Sequence, residues 1–426
     1  MNSRELILKA LKEIEDNGAY FSASLNHALS QAEPIDRGFV TEVIYGVVKN
    51  KTALDHIIMQ FSKVKIKKMS PYVLNILRMG VYQLYFMDKI PASACCNESV
   101  KLAKRYANKG AQGFINGLLR NVSRNIDTIS FPDKTDFKNY LSVVYSYPLW
   151  LVEKLLSQYG DEVTEVFLRE SNLSHPVNIR INTLKTTRDE LISVLEKEGV
   201  IAEIYEDLEY CLSVKGKLDI HSLKSYKDGL FSLQNISSVK TVLELSPEKD
   251  EVIMDICSAP GGKTAFISEL MGNQGKVFAF DLHPHKIDLI NSAMKRLGID
   301  IVNAEVHDGT VLMEEFVGKA DRVLVDAPCS GIGVIHKKPD IKWTRKPEDI
   351  KALSEIQEKI LETSSSYVKN GGVLVYSTCT ILKEENQEQT EKFLKNHPEF
   401  HKLSETQILT TQKGESGFYI CKMQRD

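Results

Sequence analysis

Two cysteines stand where chemistry would be expected of them: Cys329 in DAPCSG and Cys379 in YSTCT, each just beyond a short apolar run, VLVD and VLVY. A single cysteine in such a place is ordinarily a small buried apolar residue. Two at one edge of a sheet suit nucleophilic chemistry. A thiolate adding to C6 of a pyrimidine such as cytosine makes the unreactive neighbouring C5 electron-rich enough to take a methyl group. A helix N-terminus or a nearby cation would lower the thiol pKa. A base in nucleic acid must also leave its stack to reach the pocket, at a cost of a few kcal/mol.

The stretch DICSAPGGKT, Asp255 to Thr264, ends in letters that suggest a phosphate loop. A loop of that kind needs glycine five positions before its Gly-Lys pair, so that the backbone can fold around phosphates. Here that position is Cys257, and no G-x-G-x-x-G follows either. What remains is a strand, a Pro-Gly-Gly turn and a helix N-terminus, the first crevice of a doubly wound sheet, where Gly261 and Gly262 let backbone approach a ligand.

The next apolar run, KVFAF, ends in Asp281, twenty residues beyond Gly261, where such folds put an acid for ribose hydroxyls. Further runs lead to Asp308 in HDG and Asp326 in DAPC. Any one of these acids could simply cap a helix. Ligands of open α/β sheets bind beyond the carboxyl ends of the strands, so the set is expected to converge on one crevice. Strand-end acids without a pyrophosphate loop fit a nucleoside cofactor lacking phosphates, best of all S-adenosylmethionine.

The elements that must hold these residues divide the 426-residue chain into three. Over 1–130 the apolar periodicity is helical throughout, as in PYVLNILRMGVYQLYFM, and predicts an all-helical domain. The polar stretch 126–140 reads as a linker. Over 140–230 a helix ending at Gly160, a strand at VNIRINTL, a Thr-capped helix at TRDELISVLEKEGV and a second strand predict a small α+β module. Over 231–426 short strands apolar on both faces alternate with helices, the pattern of a parallel sheet covered on both sides.

Composition is that of a globular protein, 42% hydrophobic and 26% charged with a net charge of −3. The amphipathic start, with Ile7, Leu11 and Ile14 at helical spacing, and the absence of a long apolar run predict a cytoplasmic protein. Seven scattered cysteines without ligand spacing argue against disulfides and against a metal site. Residues 51–125 carry thirteen Lys or Arg against three acids, a surface suited to phosphates or a solvated helical face.

Taken together, DICSAPGGKT, DLHPHKI, HDGT, DAPCSGIGVIHKKPDIKW and YSTCTILKEEN closely resemble the RNA cytosine-C5 methyltransferases of the RsmB/NOP type, also called Sun or Fmu. Upstream, YSYPLWLVEKLLSQYG and VNIRINTLK resemble the module preceding the catalytic domain in that family. DRGFVTEVIYGVVKN, IPASACCNESVKLAK and GFINGLLRNV resemble the RNA-binding factor NusB. The resemblance implies a NusB-like domain, a small α+β RNA-binding module and a Rossmann-like methyltransferase domain. It further implies action on small-subunit (16S) ribosomal RNA, free or in a partly assembled subunit.

By the same correspondence Cys379 is expected to be the nucleophile and Cys329 the group assisting breakdown of the adduct. The segment Cys257, Ser258, Ala259, Pro260, Gly261, Gly262, Lys263, together with Asp281, Asp308 and Asp326, is expected to hold S-adenosylmethionine, Asp326 also facing the base. Family members often read CAAPGG, and Ser258 is a small departure from that. A DNA cytosine-C5 methyltransferase would use the first cysteine as nucleophile, against which stand the second cysteine and the NusB-like segment. A different RNA such as tRNA, or a non-catalytic RNA-binding factor built on the helical domain, are the alternatives.

Overall fold

The computed structural model describes residues 2–16, 21–205, 208–215, 219–409 and 415–426. Its backbone packs as two units, Met1–Asn172 with Lys337–Thr344, and Leu173–His336 with Arg345–Asp426.

In the first unit, seven α-helices from Ser3–Asp16 to Lys109–Arg124 are followed by Phe137–Val144 and Leu149–Glu170. Helix starts follow their sequences: Pro71 opens one helix behind Ser70, whose side chain accepts from the Val73 amide, and Asn108 caps another. The apolar stripes meet in one core that includes Ile7, Val40, Ile44, Ile57, Leu77 and Leu119. Arg78 is buried against it, its guanidinium held by Asp55 at 2.7 Å and Glu15 at 2.5 Å.

The stretch expected to be a linker is packed instead. Ile129 and Phe131 lie against the helical core, and the Gln60 amide donates to the Ser130 carbonyl at 2.9 Å. Nor does helix end at Gly160. That glycine, at φ +73°, breaks the helical path, and a further helical stretch runs on to Glu170 within the same unit. The distant segment Lys337–Thr344 completes this unit: the Trp343 indole N–H donates to the Val48 carbonyl at 2.6 Å, and Lys342 Nζ reaches Asn172 Oδ1 at 2.8 Å.

The second unit holds two sheets. In the smaller, β1 (Val177–Ile181), β2 (Ile201–Ile204), β3 (Cys211–Lys215) and β4 (Phe231–Leu233) lie in the order β2-β3-β1-β4, all pairs antiparallel. Thr187 caps the helix between β1 and β2 as expected, and Glu190 completes a capping box with it.

The larger sheet comprises β5 (Val252–Asp255), β6 (Lys276–Asp281), β7 (Val302–Val306), β8 (Ala320–Asp326), β9 (Val368–Thr378), β10 (Phe400–Ile408) and β11 (Phe418–Arg425). Its order is β10-β11-β9-β8-β5-β6-β7, with β5 to β9 parallel and the β10–β11 hairpin antiparallel at one edge. The parallel strands are those that the apolar runs predict.

The small sheet and the large sheet share one unit and are joined by buried polar ties. Arg180 on β1 and Glu269 on the helix Gly262–Leu270 form a fully desolvated ion pair at 2.6 Å. The Asn182 amide donates to the carbonyl of Leu297, which ends the helix Pro284–Leu297.

Candidate active site

The site is built where β5, β6 and β8 end. β8 lies beside β5, with Asp255 in register with Leu324, so their carboxyl ends deliver Asp255 and Asp326 to the same edge of the sheet. After Asp255 the chain turns through Gly261, at φ +96°, straight into the helix Gly262–Leu270. A Cβ on Gly261 would sit 3.3 Å from the Ile290 backbone, so the turn is tight as well as left-handed.

Under this turn lies a cavity of about 200 Å³ lined by Asp255, Cys257, Ser258, Ala259, Pro260, Gly262, Lys263 and Asp326, with Leu233, Gln234, Asn235 and Ser238 opposite. Lys263 Nζ pairs with Asp326 Oδ2 at 2.6 Å, and Ser377 donates its hydroxyl to Asp326 Oδ1 at 2.9 Å. Asp255 is fully buried. Thr264 donates to its Oδ2 at 2.7 Å, whereas its Oδ1 has no partner. Burial pushes the Asp255 carboxyl up to about 7. Gln234 Nε2 on the opposite wall is likewise buried without a partner. Burial also pushes the Cys257 thiol well up, so it is a neutral part of the wall.

Asp281 ends β6 just outside this lining. It accepts from the Ala259 amide at 3.1 Å and pairs with Lys286 at 2.9 Å, bracing the turn. Asp308 is not drawn in. Its Oδ1 accepts from both the amide and the hydroxyl of Thr310, and these bonds hold its carboxyl below the usual range.

Cys329 and Cys379 follow adjacent parallel strands, β8 and β9, and their sulfur atoms are 3.1 Å apart. The Cys379 amide also points at Cys329 Sγ, at 3.3 Å. The hydrogen bond with Cys379, and then burial, raise the Cys329 thiol well above its ordinary value, so Cys329 keeps its proton at neutral pH. Neither cysteine lines the cavity; Asp326, which does, is hydrogen-bonded to Ser377, two residues before Cys379.

Sequence reasoning passed over Asp255 although it opens the quoted motif, because its value lies in one unpartnered oxygen. It also missed Gln234, Asn235 and Ser238, which come from the polar start of the helix Ile236–Leu245 and carry no motif. Among the described residues there is no group of three or more His, Cys, Asp or Glu that could hold a metal, and no helix long and apolar enough to cross a membrane.

Three family models match successive parts of the chain: the NusB family over 1–124, the ferredoxin-like domain of RsmF/B-like methyltransferases over 147–221, and 16S rRNA methyltransferase RsmB/F over 242–423. A probable ribosomal RNA small subunit methyltransferase B of Bacillus subtilis is 38% identical, the alignment covering 99% of this chain and 98% of that one. The ribosomal RNA small subunit methyltransferase B of Vibrio cholerae is 31% identical over 100% of this chain and 98% of its own. Among solved structures, that of PH0851 superposes with a TM-score of 0.83 at 27% identity, covering 100% of this chain and 99% of that one. A methyltransferase homologue from Pyrococcus horikoshii gives 0.59 at 27% identity, covering 67% and 98%. With a full-length relative at this identity and a fold that matches throughout, the chain belongs to the RsmB/F family of 16S rRNA methyltransferases.

Proposed function

We propose that this protein methylates C5 of a cytosine in small-subunit ribosomal RNA, using S-adenosylmethionine, through a covalent bond from Cys379 to C6. The observation that carries the reading is the pair of thiols 3.1 Å apart at the ends of two adjacent strands, next to a cavity with a buried acid.

The cavity suits the amino-acid end of the cofactor. An unpartnered carboxylate oxygen on Asp255 and an unpartnered amide nitrogen on Gln234 would take an ammonium and a carboxylate respectively. Asp281, at the end of the neighbouring strand, would take the ribose hydroxyls. The bound cofactor supplies an electrophilic methyl group carried on sulfonium.

Cys379, as thiolate, forms the bond to C6, and the C5=C6 electron pair moves to C5, which takes the methyl group. Asp326 is oriented by Lys263 and Ser377 to accept from the base's amino edge. C5 then loses its proton to solvent, the pair re-forms C5=C6, and Cys379 leaves as thiolate. Cys329, protonated and in contact with the departing sulfur, donates its proton to it, and the proton passes back to Cys329 before the next attack, restoring the Cys379 thiolate. One proton is released per methyl transferred.

The RNA is held elsewhere too. Lys63, Lys65, Lys67 and Lys68 are exposed, consistent with phosphate contacts by the helical segment, whereas Arg78 of the same basic region is spent inside the core.

The test is a pair of substitutions. Cys379→Ser should abolish methylation and leave no RNA-linked protein, a hydroxyl being a far poorer nucleophile than a thiolate. Cys329→Ser should attack, methylate and stall, leaving an adduct that survives denaturing electrophoresis. Adduct in the Cys379 variant and none in the Cys329 variant would reverse the two roles.

A further inference from the structure

A sulfur–sulfur approach of 3.1 Å between two turns has to be enforced, and the residues that enforce it come from a third place in the chain. Glu385 and Asn386 are consecutive, fully buried, and lie just before the helix Gln387–Asn396. Each grips a different cysteine turn. The Glu385 carboxylate takes the Ser330 amide at 2.8 Å and the Ser330 hydroxyl at 2.5 Å, so it holds the residue that follows Cys329 by both backbone and side chain. The Gln357 amide steadies the same carboxylate at 3.0 Å while donating to the Pro328 carbonyl at 2.9 Å, one residue before Cys329.

Asn386 does the corresponding work on the other turn. Its Oδ1 accepts from the Thr378 hydroxyl at 2.5 Å and its Nδ2 donates to the Thr380 carbonyl at 3.1 Å, bracketing Cys379 from both sides. Ser330 and Thr380 hydroxyls, 2.8 Å apart, join the two halves.

A buried carboxylate with no Lys or Arg partner among the described ion pairs is costly, and a role confined to stability would be served as well by an apolar residue. Its shortest bonds hold the backbone and side chain of the residue after Cys329, and the Thr380 side chain of the other turn bears on the same carboxylate.

We infer that Glu385 and Asn386 are paired positioning residues, Glu385 setting the place of Cys329 and Asn386 that of Cys379, so that adduct formation and adduct release are controlled from adjacent positions. The inference rests on the two-cysteine reading above and deepens it. Glu385→Ala lets the Cys329 turn drift and should mimic, in part, the loss of Cys329. Asn386→Ala lets the Cys379 turn drift and should slow the first attack.

The experiment measures, on the full-length chain with 16S ribosomal RNA, kcat, KM for S-adenosylmethionine, and the amount of RNA-linked protein, beside Cys329→Ser and Cys379→Ser. Glu385→Ala should lower kcat by about 30- to 100-fold, leave KM for S-adenosylmethionine within about twofold, and accumulate adduct. Asn386→Ala should lower kcat comparably with no accumulated adduct. Glu385→Gln, which keeps an acceptor for the Ser330 amide and can donate to its hydroxyl, should recover most of the rate. Should Glu385→Ala fail to fold, Ser330→Ala removes one of the two grips on its own and is expected to show the same adduct with a smaller loss of rate.

A general packing role would lower the melting temperature of both variants without sending the adduct in opposite directions, and that result overturns the inference. If Cys329→Ser accumulates adduct while Glu385→Ala and Ser330→Ala do not, the positioning role is wrong and the cysteine reading stands. If Cys329→Ser itself accumulates none, the cysteine reading falls, and the roles of Glu385 and Asn386 fall with it.

Discussion

Asp255, at the end of β5, and Glu269, on the helix that follows the glycine turn, are both buried carboxylates, and only the first lines the cavity. Glu269 is held by the Arg180 guanidinium through both oxygens, at 2.6 and 3.1 Å, and Arg180 is in turn bonded to Gln234 and to the Gly262 carbonyl. Asp255 has one oxygen bonded to Thr264 and the other to nothing. The difference separates scaffold from site. A buried charge whose bonds are complete fixes geometry, whereas a buried polar group left incomplete holds binding capacity for a ligand at a cost to the free protein.

The largest effect is expected on the scaffold side. Arg180→Met strands Glu269 and should lower the unfolding free energy by about 3–5 kcal/mol, read as an earlier denaturant midpoint. A midpoint equal to that of the parent protein would mean the two carboxylates do not differ as argued.

On the site side the sign reverses. The Asp255 carboxyl sits at about 7 in the fold against an ordinary value of 3.8, so the folded state retains a proton that the unfolded chain gives up. Its contribution to stability is therefore best at low pH and is lost as pH rises from about 4 to about 7. Asp255→Asn should remove that burden and raise the melting temperature at pH 8 by several degrees, on the order of 1–4 kcal/mol. The same change should weaken S-adenosylmethionine binding by about 10- to 100-fold, a charge-assisted hydrogen bond being worth roughly 1.5–3 kcal/mol. In the parent protein affinity should fall with acidification below pH 7, and calorimetry at pH 6 and 8 should find this dependence gone in the variant.

The smallest effect sharpens the contrast within one side chain. Gln234 gives its oxygen to Arg180 and leaves its nitrogen unpartnered toward the cavity. Gln234→Glu keeps the first contact and removes the donor, so cofactor affinity should drop by about 3- to 10-fold, roughly 1 kcal/mol, with the melting temperature nearly unchanged. Loss of stability without loss of affinity would assign Gln234 wholly to the scaffold.

Much of this was readable in advance wherever side-chain type and strand ends coincide. The apolar runs before Asp255, Asp281, Asp326, Cys329 and Cys379 locate the parallel strands, and the sheet then brings their ends together. Asp308 and Asp281 both lie outside the cavity lining, and the Oδ1 of Asp308 is bonded to Thr310 in its own loop. Gln234 and Arg180 were invisible because their partners lie 54 residues apart in the chain and, for Glu269, 89 residues apart, with no periodicity linking them. The β10–β11 hairpin gave no signal of a parallel sheet because it is antiparallel and at the edge. Ile129 and Phe131 were hidden among polar neighbours, and only packing reveals that their segment is not a linker.

The helical unit is discontinuous, and this has a consequence for the order in which the chain matures on the ribosome. Residues 1–172 emerge first, yet the unit is completed by Lys337–Thr344, whose Trp343 and Lys342 bond to Val48, Lys49, Tyr145 and Asn172. Domains ordinarily mature from the N-terminus as they are made. Here the first unit begun must wait until both the small sheet and β5 to β8 have been synthesised. A nascent chain halted between residues 172 and 337 should carry an unfinished helical unit, open to proteases and chaperones at the surface that Trp343 later covers.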